Sequence, residues 1–323
     1  MPVEIITLSQ IKKTLASIDL LPAIEAGFVA YSTQQAVVPP VGELLLEKGE
    51  VHIKYGYIKQ NEYYVVKIAS GFYGNPKLGL ASGNGLMLLF SQQTGELVCI
   101  LLDQGHLTDT RTAVAGAIAA KYLAPKRIEQ IGIVGTGIQA RLQLSYLRNI
   151  TGCREVLVFG RGKTQLARYR SDMEKLGFEI NTTVDAADII NTCNLIVTTT
   201  PATKPLLHAR DLRPGVHITA VGSDTPTKQE LDTAILARAD SVVADSISQC
   251  RQRGEIHQAL KAGRLTEDKI VELGNILAGR IKGRTSEEQI TVVDLTGVAV
   301  QDIKIAAAVY TSFKKDPENK FSV

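Results

Sequence analysis

The sequence has few cysteines, and none of them lies in a pattern that binds metal. Cys99, Cys153, Cys193 and Cys250 are far apart, with no CxxC motif and no Cys/His pairing at metal-ligand spacing. Neither a disulfide framework nor a cysteine-based metal site is therefore expected, and no metal is predicted. We interpret the four cysteines as reduced thiols, which predicts a cytoplasmic protein.

Long apolar runs and clusters of like charge are also missing. No uninterrupted apolar segment reaches the roughly 18 to 20 residues that cross a bilayer, and the N-terminus MPVEIITLSQ lacks the regions of a signal peptide. Lysine and arginine are scattered along a chain whose formal net charge is only +3. This distribution predicts neither a nucleic-acid partner nor a membrane partner, so a small-molecule enzyme or binder is the first hypothesis.

The pattern of the chain, which is long enough for about two domains, changes along its length. Residues 51–102 contain the β-rich segments VHIKYGYI, EYYVVKIAS, GLMLLFS and LVCILLD, which predict an antiparallel sheet in an α+β domain. Residues 131–244 instead alternate short apolar strands with helical stretches at 138–149, 163–176 and 228–239. That alternation predicts βαβ units and an α/β domain with a doubly wound parallel sheet.

An Ala-rich segment, LTDTRTAVAGAIAAKYLAP, joins the two halves. It predicts a helix that starts near Thr110 and stops before Pro125. A last helix, over about residues 298–313, has no strand after it and would pack back on the first domain. We therefore predict a discontinuous first domain, residues 1–120 and 297–323, and a second domain, residues 121–296.

The segment GTGIQA has the GxGxxG/A form of a dinucleotide-binding turn. Gly135 would permit the tight turn, Gly137 would let the backbone approach a pyrophosphate, and Ala140 would leave room for the helix against its strand. The N–H groups that open the helix would then face the phosphates. A strand before the motif and a helix after it favour this reading over a glycine-rich turn without a ligand.

A basic pair, Arg161 and Lys163, follows the second strand in FGRGK, where an NAD enzyme usually has an acidic residue. A carboxylate there binds the ribose hydroxyls and repels a 2′-phosphate, whereas arginine forms charge-assisted hydrogen bonds with the phosphate. The pair therefore indicates a preference for NADPH, with NADH as the second choice. The alternative is that both residues are ordinary solvated charges.

Three further charged residues need an explanation. Lys67 lies within the apolar strand YYVVKIAS and needs an anionic partner there, Arg111 lies near the predicted start of the Ala-rich helix, and Asp224 follows the strand HITAVGS. A substrate carboxylate bound by Lys67 and Arg111 would account for both of these cations. Each residue also has a structural alternative: an edge-strand charge, an interdomain salt bridge and a helix N-cap before Lys228, respectively.

Together, these segments resemble the ornithine cyclodeaminase and mu-crystallin family. VVKIASG, LTDTRTAVAGAIAAKYLAP, GIVGTGIQA, AVGSDTPTKQELD and DLTGVAVQD occur in the family's order and spacing, and the resemblance covers the chain from about Pro39 to the last helix. It implies a Rossmann domain that binds NAD(P), a substrate domain that also forms a homodimer, and chemistry at the α-carbon of an amino or imino acid.

The resemblance also implies roles for individual residues. Lys67 and Arg111 match the family's substrate-carboxylate ligands, Asp224 matches its catalytic acid/base, and Thr296 matches a position near the substrate. The implied cofactor-binding residues are Thr112, Gly135, Thr136, Gly137, Ile138, Gln139, Ala140, Arg161, Lys163, Thr199, Val221 and Lys228.

Two positions depart from the family pattern. Arg161 stands where true cyclodeaminases end their second strand in Asp, and in this respect the chain looks more like the NADPH-using ketimine reductases. Val41 stands just after Pro39-Pro40, where the family tends to have arginine, which leaves one carboxylate contact unassigned. Lys54 in VHIKYG is a candidate replacement, although the sequence does not show that its side chain points inward.

The resemblance implies an NADPH-preferring reductase that converts 1-pyrroline-2-carboxylate or 1-piperideine-2-carboxylate to L-proline or L-pipecolate. Ornithine cyclodeaminase or alanine dehydrogenase activity is the second hypothesis, and a non-catalytic binder of the mu-crystallin type is the third. The site residues alone do not separate these three, and they leave the ring size of the substrate open.

Overall fold

The structure is a computed structural model that describes residues 2–316. Its contacts divide the chain into two compact units, one formed by residues 2–111 with 298–316 and the other by Thr112–Gly297. We call them the first unit and the second unit. Residue 1 and residues 317–323, at the ends of the predicted first domain, lie outside the described residues.

The strands and helices of the described chain are numbered in chain order. The strands are β1 (Glu4–Thr7), β2 (Ala36–Val37), β3 (Gly42–Leu46), β4 (Gly49–Ile58), β5 (Tyr63–Gly71), β6 (Gly83–Ser91), β7 (Leu97–Leu102), β8 (Ile131–Val134), β9 (Glu155–Phe159), β10 (Glu179–Thr183), β11 (Leu195–Thr198), β12 (Thr203–Leu207), β13 (His217–Ala220), β14 (Gln229–Leu231), β15 (Ser241–Ala244), β16 (Ile270–Glu272) and β17 (Thr291–Asp294). The helices are α1 (Leu8–Leu15), α2 (Leu21–Ser32), α3 (His106–Leu123), α4 (Ile138–Leu147), α5 (Lys163–Glu174), α6 (Ala186–Thr192), α7 (Thr233–Arg238), α8 (Ile247–Cys250), α9 (Gly254–Lys261), α10 (Leu273–Leu277) and α11 (Ala299–Lys315).

The first unit is an α+β structure built on one sheet. Strands β2, β4, β5, β6 and β7 are antiparallel neighbours in that order. Strand β1 adds a parallel edge beside β7, and β3 pairs with β4 alone. Burial alternates along β4 and β5, as expected when one face of a sheet is covered and the other is not. The covered face packs against α11, which comes from the far end of the chain. The first unit is therefore discontinuous.

The second unit is a doubly wound α/β structure. Its main sheet has eight parallel strands in the order β10-β9-β8-β11-β13-β17-β15-β16, and β12 and β14 form a separate parallel pair. A buried apolar cluster lies against this sheet and includes residues of α6, α7 and α9. The turns after β8, β11 and β13 leave the same edge of the sheet, because parallel strands share their carboxyl ends. Doubly wound sheets bind their ligands at this edge.

The structure corrects two helix predictions. The stretch predicted as helical over residues 228–239 begins instead with β14, and α7 starts only at Thr233, where Asp232 provides the N-cap by accepting from the backbone N–H of Ala234. The Ala-rich helix, α3, starts at His106 rather than near Thr110. Arg111 therefore lies in its second turn, away from the free N–H groups that would have helped it to bind a carboxylate.

None of the helices within residues 2–316 is both long and apolar enough to cross a membrane. The four cysteines are unpaired, and all except Cys153 are buried.

Candidate functional site

The glycine-rich turn connects β8 to α4 in the second unit. Gly135 has a φ of +119°, a backbone conformation that residues with a Cβ atom rarely adopt. A Cβ atom at this position would also lie 2.6 Å from Oγ1 of Thr199. The Thr199 hydroxyl donates to the carbonyl of Val134 at 3.0 Å, which ties the turn after β11 to the end of β8. The structure thus brings the predicted cofactor residues Gly135 and Thr199 together.

The opening of α4 fits a phosphate group. A Cβ on Gly137 would meet no atom within 4 Å, so the backbone there is open to a close approach. Helix α4 has no side chain that caps its first N–H groups, and Ile138 at its start is 56% exposed. Uncapped N–H groups and the positive end of the helix dipole attract an anion, so these residues fit the pyrophosphate of a dinucleotide.

Three further predicted cofactor residues of the second unit lie on α4, directly after β13 and on α3. Ala140 is buried, and its carbonyl accepts a hydrogen bond from the hydroxyl of Tyr169 at 3.1 Å. The backbone N–H of Val221, directly after β13, donates to the carbonyl of Thr198 at 3.0 Å. The carbonyl of Thr112 accepts from Nε2 of Gln143 on α4 at 3.1 Å. Each of these three residues thus forms a backbone hydrogen bond with a neighbouring element.

Arg161 and Lys163 lie at the carboxyl end of β9, next to the strand that precedes the glycine-rich turn. Both side chains are exposed, and neither forms a hydrogen bond or ion pair with another residue of the described chain. A Cβ on Gly160 would lie 2.8 Å from Cγ2 of Thr136. Arg161 therefore directly follows a residue that packs on the glycine-rich turn, and its contact with a 2′-phosphate remains a prediction.

Lys67 and Arg111 are brought together in the first unit around a residue that the sequence analysis missed. Asp302 on α11 is buried, with Oδ2 at 3.6 Å from Nζ of Lys67 and Oδ1 at 3.0 Å from Nε of Arg111. Nη1 of Arg111 donates to Oε1 of Gln301 at 2.8 Å. The anion that Lys67 was expected to need is therefore present within the chain. Substrate binding by the pair remains a prediction.

A second buried carboxyl group, Asp103, lies before α3. Its Oδ2 accepts from the backbone N–H of Leu107 at 2.8 Å. Burial raises the pKa of Asp103 above its ordinary value, the hydrogen bonds from backbone N–H groups oppose that shift, and the negative charge of Asp302 adds to it. The start of α3 and the Asp302 cluster are thus electrostatically linked within the first unit.

The side chain of Lys54 does point inward. Lys54 on β4 is only 6% exposed and pairs across the strands with Lys67 on β5, so the two side chains share the covered face of the sheet. Strand β3 pairs Gly42 with Ile53, which places Val41, immediately before β3, close in register to Lys54. A cation therefore occupies the buried face near the position where the family pattern has arginine.

Asp224 lies in the loop between β13 and β14. Its Oδ1 is 2.7 Å from Nζ of Lys228, whose side chain is nearly buried, while the Asp224 side chain is 35% exposed. No helix follows this loop directly, so the alternative role of Asp224 as an N-cap before Lys228 is wrong. The carboxyl group of Asp224 is partly exposed, and its role as an acid/base remains a prediction.

Thr296 follows β17 and is buried. Its hydroxyl donates to Oδ1 of Asp245 at 3.0 Å and accepts from Nε2 of Gln249 at 2.8 Å. The same Asp245 accepts from the backbone N–H of Gly297 at 2.6 Å through Oδ2. These contacts hold the Thr296 loop in place, and a substrate contact by Thr296 remains a prediction.

The predicted residues thus fall into two groups. The first unit holds the cations Lys67 and Arg111, whereas the second unit holds the acid Asp224 and the glycine-rich turn. No signal along the sequence identified Asp302, since its partners lie far from it in the chain. Across residues 2–316, no group of three or more His, Cys, Asp or Glu side chains is arranged to hold a metal ion.

Comparison with known proteins gives one consistent result. The family model for "Ornithine cyclodeaminase/mu-crystallin family" matches residues 3–316. An uncharacterized cyclodeaminase, y4tK, from Sinorhizobium fredii is 42% identical over 298 residues, which are 91% of this chain and 90% of that protein.

Two solved structures are similar along their whole length. The Thermococcus litoralis Δ1-pyrroline-2-carboxylate reductase, in complex with NADH and L-proline, has a TM-score of 0.91 and 28% identity, covering 97% of this chain and 98% of its own. An archaeal alanine dehydrogenase dimer with bound NAD has a TM-score of 0.89 and 33% identity, covering 97% of this chain and 96% of its own. The chain belongs to the ornithine cyclodeaminase/mu-crystallin family.

Proposed function

We propose that the protein is an NAD(P)H-dependent oxidoreductase that reduces the C=N bond of a cyclic imino acid, 1-pyrroline-2-carboxylate or 1-piperideine-2-carboxylate. The observation that carries the proposal is the set of buried cations, Lys54, Lys67 and Arg111, in the first unit. Relatives named for imine reduction and amino-acid dehydrogenation support it. The products would be L-proline or L-pipecolate.

In this proposal, the cations bind the carboxylate of the substrate. The guanidinium of Arg111 offers a planar set of donors that suits a carboxylate, and Lys67 and Lys54 add ammonium groups on one face of the sheet. Asp302 offsets part of the charge and holds Lys67 and Arg111 in a defined geometry before the substrate arrives. A preorganised set of ligands lowers the entropy cost of orienting the imine.

Asp224 handles the proton in this scheme. A cyclic imine accepts hydride at carbon only when its nitrogen is protonated, and Asp224 would keep the proton on that nitrogen. The ion pair with Lys228 at 2.7 Å fixes the orientation of the carboxyl group. The nicotinamide cofactor, when bound, supplies the hydride. The amine product then leaves with one hydrogen added at carbon and one proton at nitrogen.

The preference for NADPH over NADH is also part of the proposal. Arg161 and Lys163 are exposed at the end of β9, where the adenosine ribose of a dinucleotide binds in doubly wound sheets. Two cations there favour a 2′-phosphate. The two structural relatives contain NAD or NADH, so we propose that NADH is a weaker alternative.

We further propose that the first unit forms a homodimer through its sheet. Leu44, Leu45 and Leu46 on β3 are at least half exposed, and Tyr55 and Tyr57 on β4 are also exposed. An apolar surface of this kind on a single chain commonly marks a protein interface. The archaeal alanine dehydrogenase relative is a dimer.

Steady-state assays with the purified chain test the activity. The panel contains 1-pyrroline-2-carboxylate, 1-piperideine-2-carboxylate, pyruvate with ammonia, and L-ornithine, each with NADPH and with NADH. We expect stoichiometric oxidation of NADPH with one or both cyclic imines. Oxidation only with pyruvate and ammonia would identify an alanine dehydrogenase instead.

Two other outcomes would also contradict the proposal. Release of ammonia from L-ornithine without net cofactor turnover would identify a cyclodeaminase, the activity for which the Sinorhizobium fredii relative is named. Binding of NADPH without turnover of any substrate would identify a binder of the mu-crystallin type.

A further inference from the structure

Glu230 on β14 is a buried carboxylate that joins two loops at the carboxyl edge of the main sheet. Its Oε1 accepts from the backbone N–H of Thr200 at 2.6 Å and from the Thr200 hydroxyl at 2.8 Å. Its Oε2 accepts from the Thr198 hydroxyl at 2.7 Å and from the backbone N–H of Gly222 at 3.0 Å. One side chain therefore holds the turn after β11 and the turn after β13.

These two turns carry residues with predicted roles in the site. Thr199 lies between Thr198 and Thr200, and Val221 directly precedes Gly222. The turns also touch each other, because a Cβ on Gly222 would lie 2.3 Å from the carbonyl oxygen of Thr200. Any shift of Glu230 would move Thr199 and Val221 relative to one another.

The chemistry at this position requires an acid rather than another polar residue. A carboxylate has two acceptor oxygens for the four donors around it, whereas an amide would turn an NH₂ group toward one of the loops. Burial of an unpaired carboxylate is costly, and it raises the pKa of Glu230 to about 7 although the donors oppose the shift. Glu230 forms four hydrogen bonds at this position, and an amide could match them only in part.

We propose that Glu230 is a positioning residue for the cofactor: by clamping the turns after β11 and β13, it sets the placement of Thr199 and Val221 against the nicotinamide end. The inference rests on the proposed function, since it takes those two residues to contact the cofactor. Glu230 itself is fully buried and acts through the two turns.

Glu230→Gln tests the clamp, and His217→Gln is its matched control. His217 is also fully buried, lies at the opposite, amino end of β13, and bonds Oγ1 of Thr291 and Oγ1 of Thr219 at 2.8 and 2.9 Å. Both substitutions disturb a buried polar group of the same sheet, so both are expected to lower the melting temperature. Only Glu230→Gln should change cofactor binding.

The measurement is the dissociation constant of NADPH and of NADH for the purified chain without substrate, by nicotinamide fluorescence. We expect Glu230→Gln to weaken binding by about 10-fold or more, because a backbone N–H of one turn loses its acceptor. His217→Gln should stay within about 2-fold of the parent. With a substrate that supports turnover, the Michaelis constant for the cofactor should rise more than kcat falls.

Thr198→Val keeps the inference testable if Glu230→Gln does not fold. It removes one donor to Glu230 with little change of shape, and we expect a smaller weakening of cofactor binding, about 3-fold. Parent-like affinity in the folded Glu230 variant, or in Thr198→Val when the former does not fold, would overturn the inference. Equal weakening by His217→Gln would also overturn it. A parent chain that binds neither cofactor would overturn the proposed function as well.

Discussion

In the first unit, Asp302 lies between the cations Lys67 and Arg111, and the three charged groups are buried together. In the second unit, the most deeply buried charged residue types are acids. Glu230, Glu255 and Asp294 are all nearly inaccessible, and none of them forms an ion pair with another residue of the described chain. These two groups of residues therefore offset the cost of burial in different ways.

These acids accept hydrogen bonds from backbone N–H groups. Glu255 accepts from the N–H groups of Glu230 and Leu231 at 2.6 and 3.2 Å, and Asp294 accepts from the N–H of Ile256 at 2.8 Å. Burial raises the pKa of Glu255 to about 8 and that of Asp294 well above its ordinary value, and the neighbouring acids add to both shifts. Part of the charge is therefore removed by retained protons.

The comparison shows what each arrangement is suited to do. Opposite charges in a fixed geometry keep cations ready for an incoming carboxylate, which is the role proposed for the first unit. Hydrogen-bonded acids instead connect backbone segments, which is the role proposed for Glu230 in the second unit. The following substitutions test the distinction, from the largest expected effect to the smallest.

Asp302→Asn should have the largest effect, because it removes the negative charge that lies beside the buried cations Lys67 and Arg111. We expect the free energy of unfolding to fall by about 3 to 5 kcal/mol, measured by denaturant titration. The control is Asp172→Asn, which removes the partner of Arg141 in an exposed Arg–Asp pair of 2.8 Å. That change should cost about 0 to 1 kcal/mol, and equal losses would show that burial does not distinguish the pairs.

Asp224→Asn tests a carboxylate that is partly exposed and forms an ion pair with Lys228. If Asp224 exchanges a proton with the substrate, turnover of the cyclic imine should fall about 100-fold or more. The melting temperature should change little, since the amide has nearly the same size. Asp232→Asn, at the N-cap of α7, is the control and should leave turnover intact. Normal turnover of the Asp224 variant would contradict its proposed role.

Arg161→Asp extends the test to an exposed charge. The substitution removes a predicted phosphate partner and introduces a repulsive charge. We therefore expect kcat/KM with NADPH to fall roughly 30- to 150-fold, which corresponds to a loss of about 2 to 3 kcal/mol of interaction free energy. The value with NADH should change far less. Arg168→Asp, on the exposed part of α5, provides the matched charge reversal. Equal losses with both cofactors would contradict a 2′-phosphate site at Arg161.

Glu255→Gln should have the smallest effect, and its sign should depend on pH. Below about pH 4 the carboxyl is protonated in both the folded and the unfolded chain. Between about pH 4 and its folded pKa of about 8, the unfolded chain releases the proton while the folded chain retains it, so Glu255 makes the fold less stable as pH rises.

The amide lacks this titration but loses one acceptor, which costs about 1 kcal/mol. Thermal unfolding from pH 5 to pH 9 should therefore show Glu255→Gln less stable than the parent at the acidic end, with the difference shrinking or reversing at the basic end. A constant difference across the range would mean that Glu255 is already ionised in the folded chain at pH 5.

Much of the fold follows from local patterns. The alternation of apolar strands and helical stretches predicted β8, α4, β9 and α5 at nearly their observed positions, and GTGIQA predicted the turn at Gly135. The same reasoning failed at residues 228–239, where the short strand β14 precedes α7. A strand of three residues has no periodicity of its own, and only its pairing with β12 defines it.

The sequence by itself determined the class of the second unit, the glycine-rich turn at Gly135 and the need for an anion beside Lys67. Glycine geometry, periodicity and the cost of a buried charge are local properties. Tertiary structure alone decided that Asp302 provides that anion, that Lys54 faces inward beside Lys67, and that Glu230 joins two turns. Each of these contacts joins separate elements of the chain. Such contacts form only when whole elements pack together, so the local sequence of one segment does not determine them.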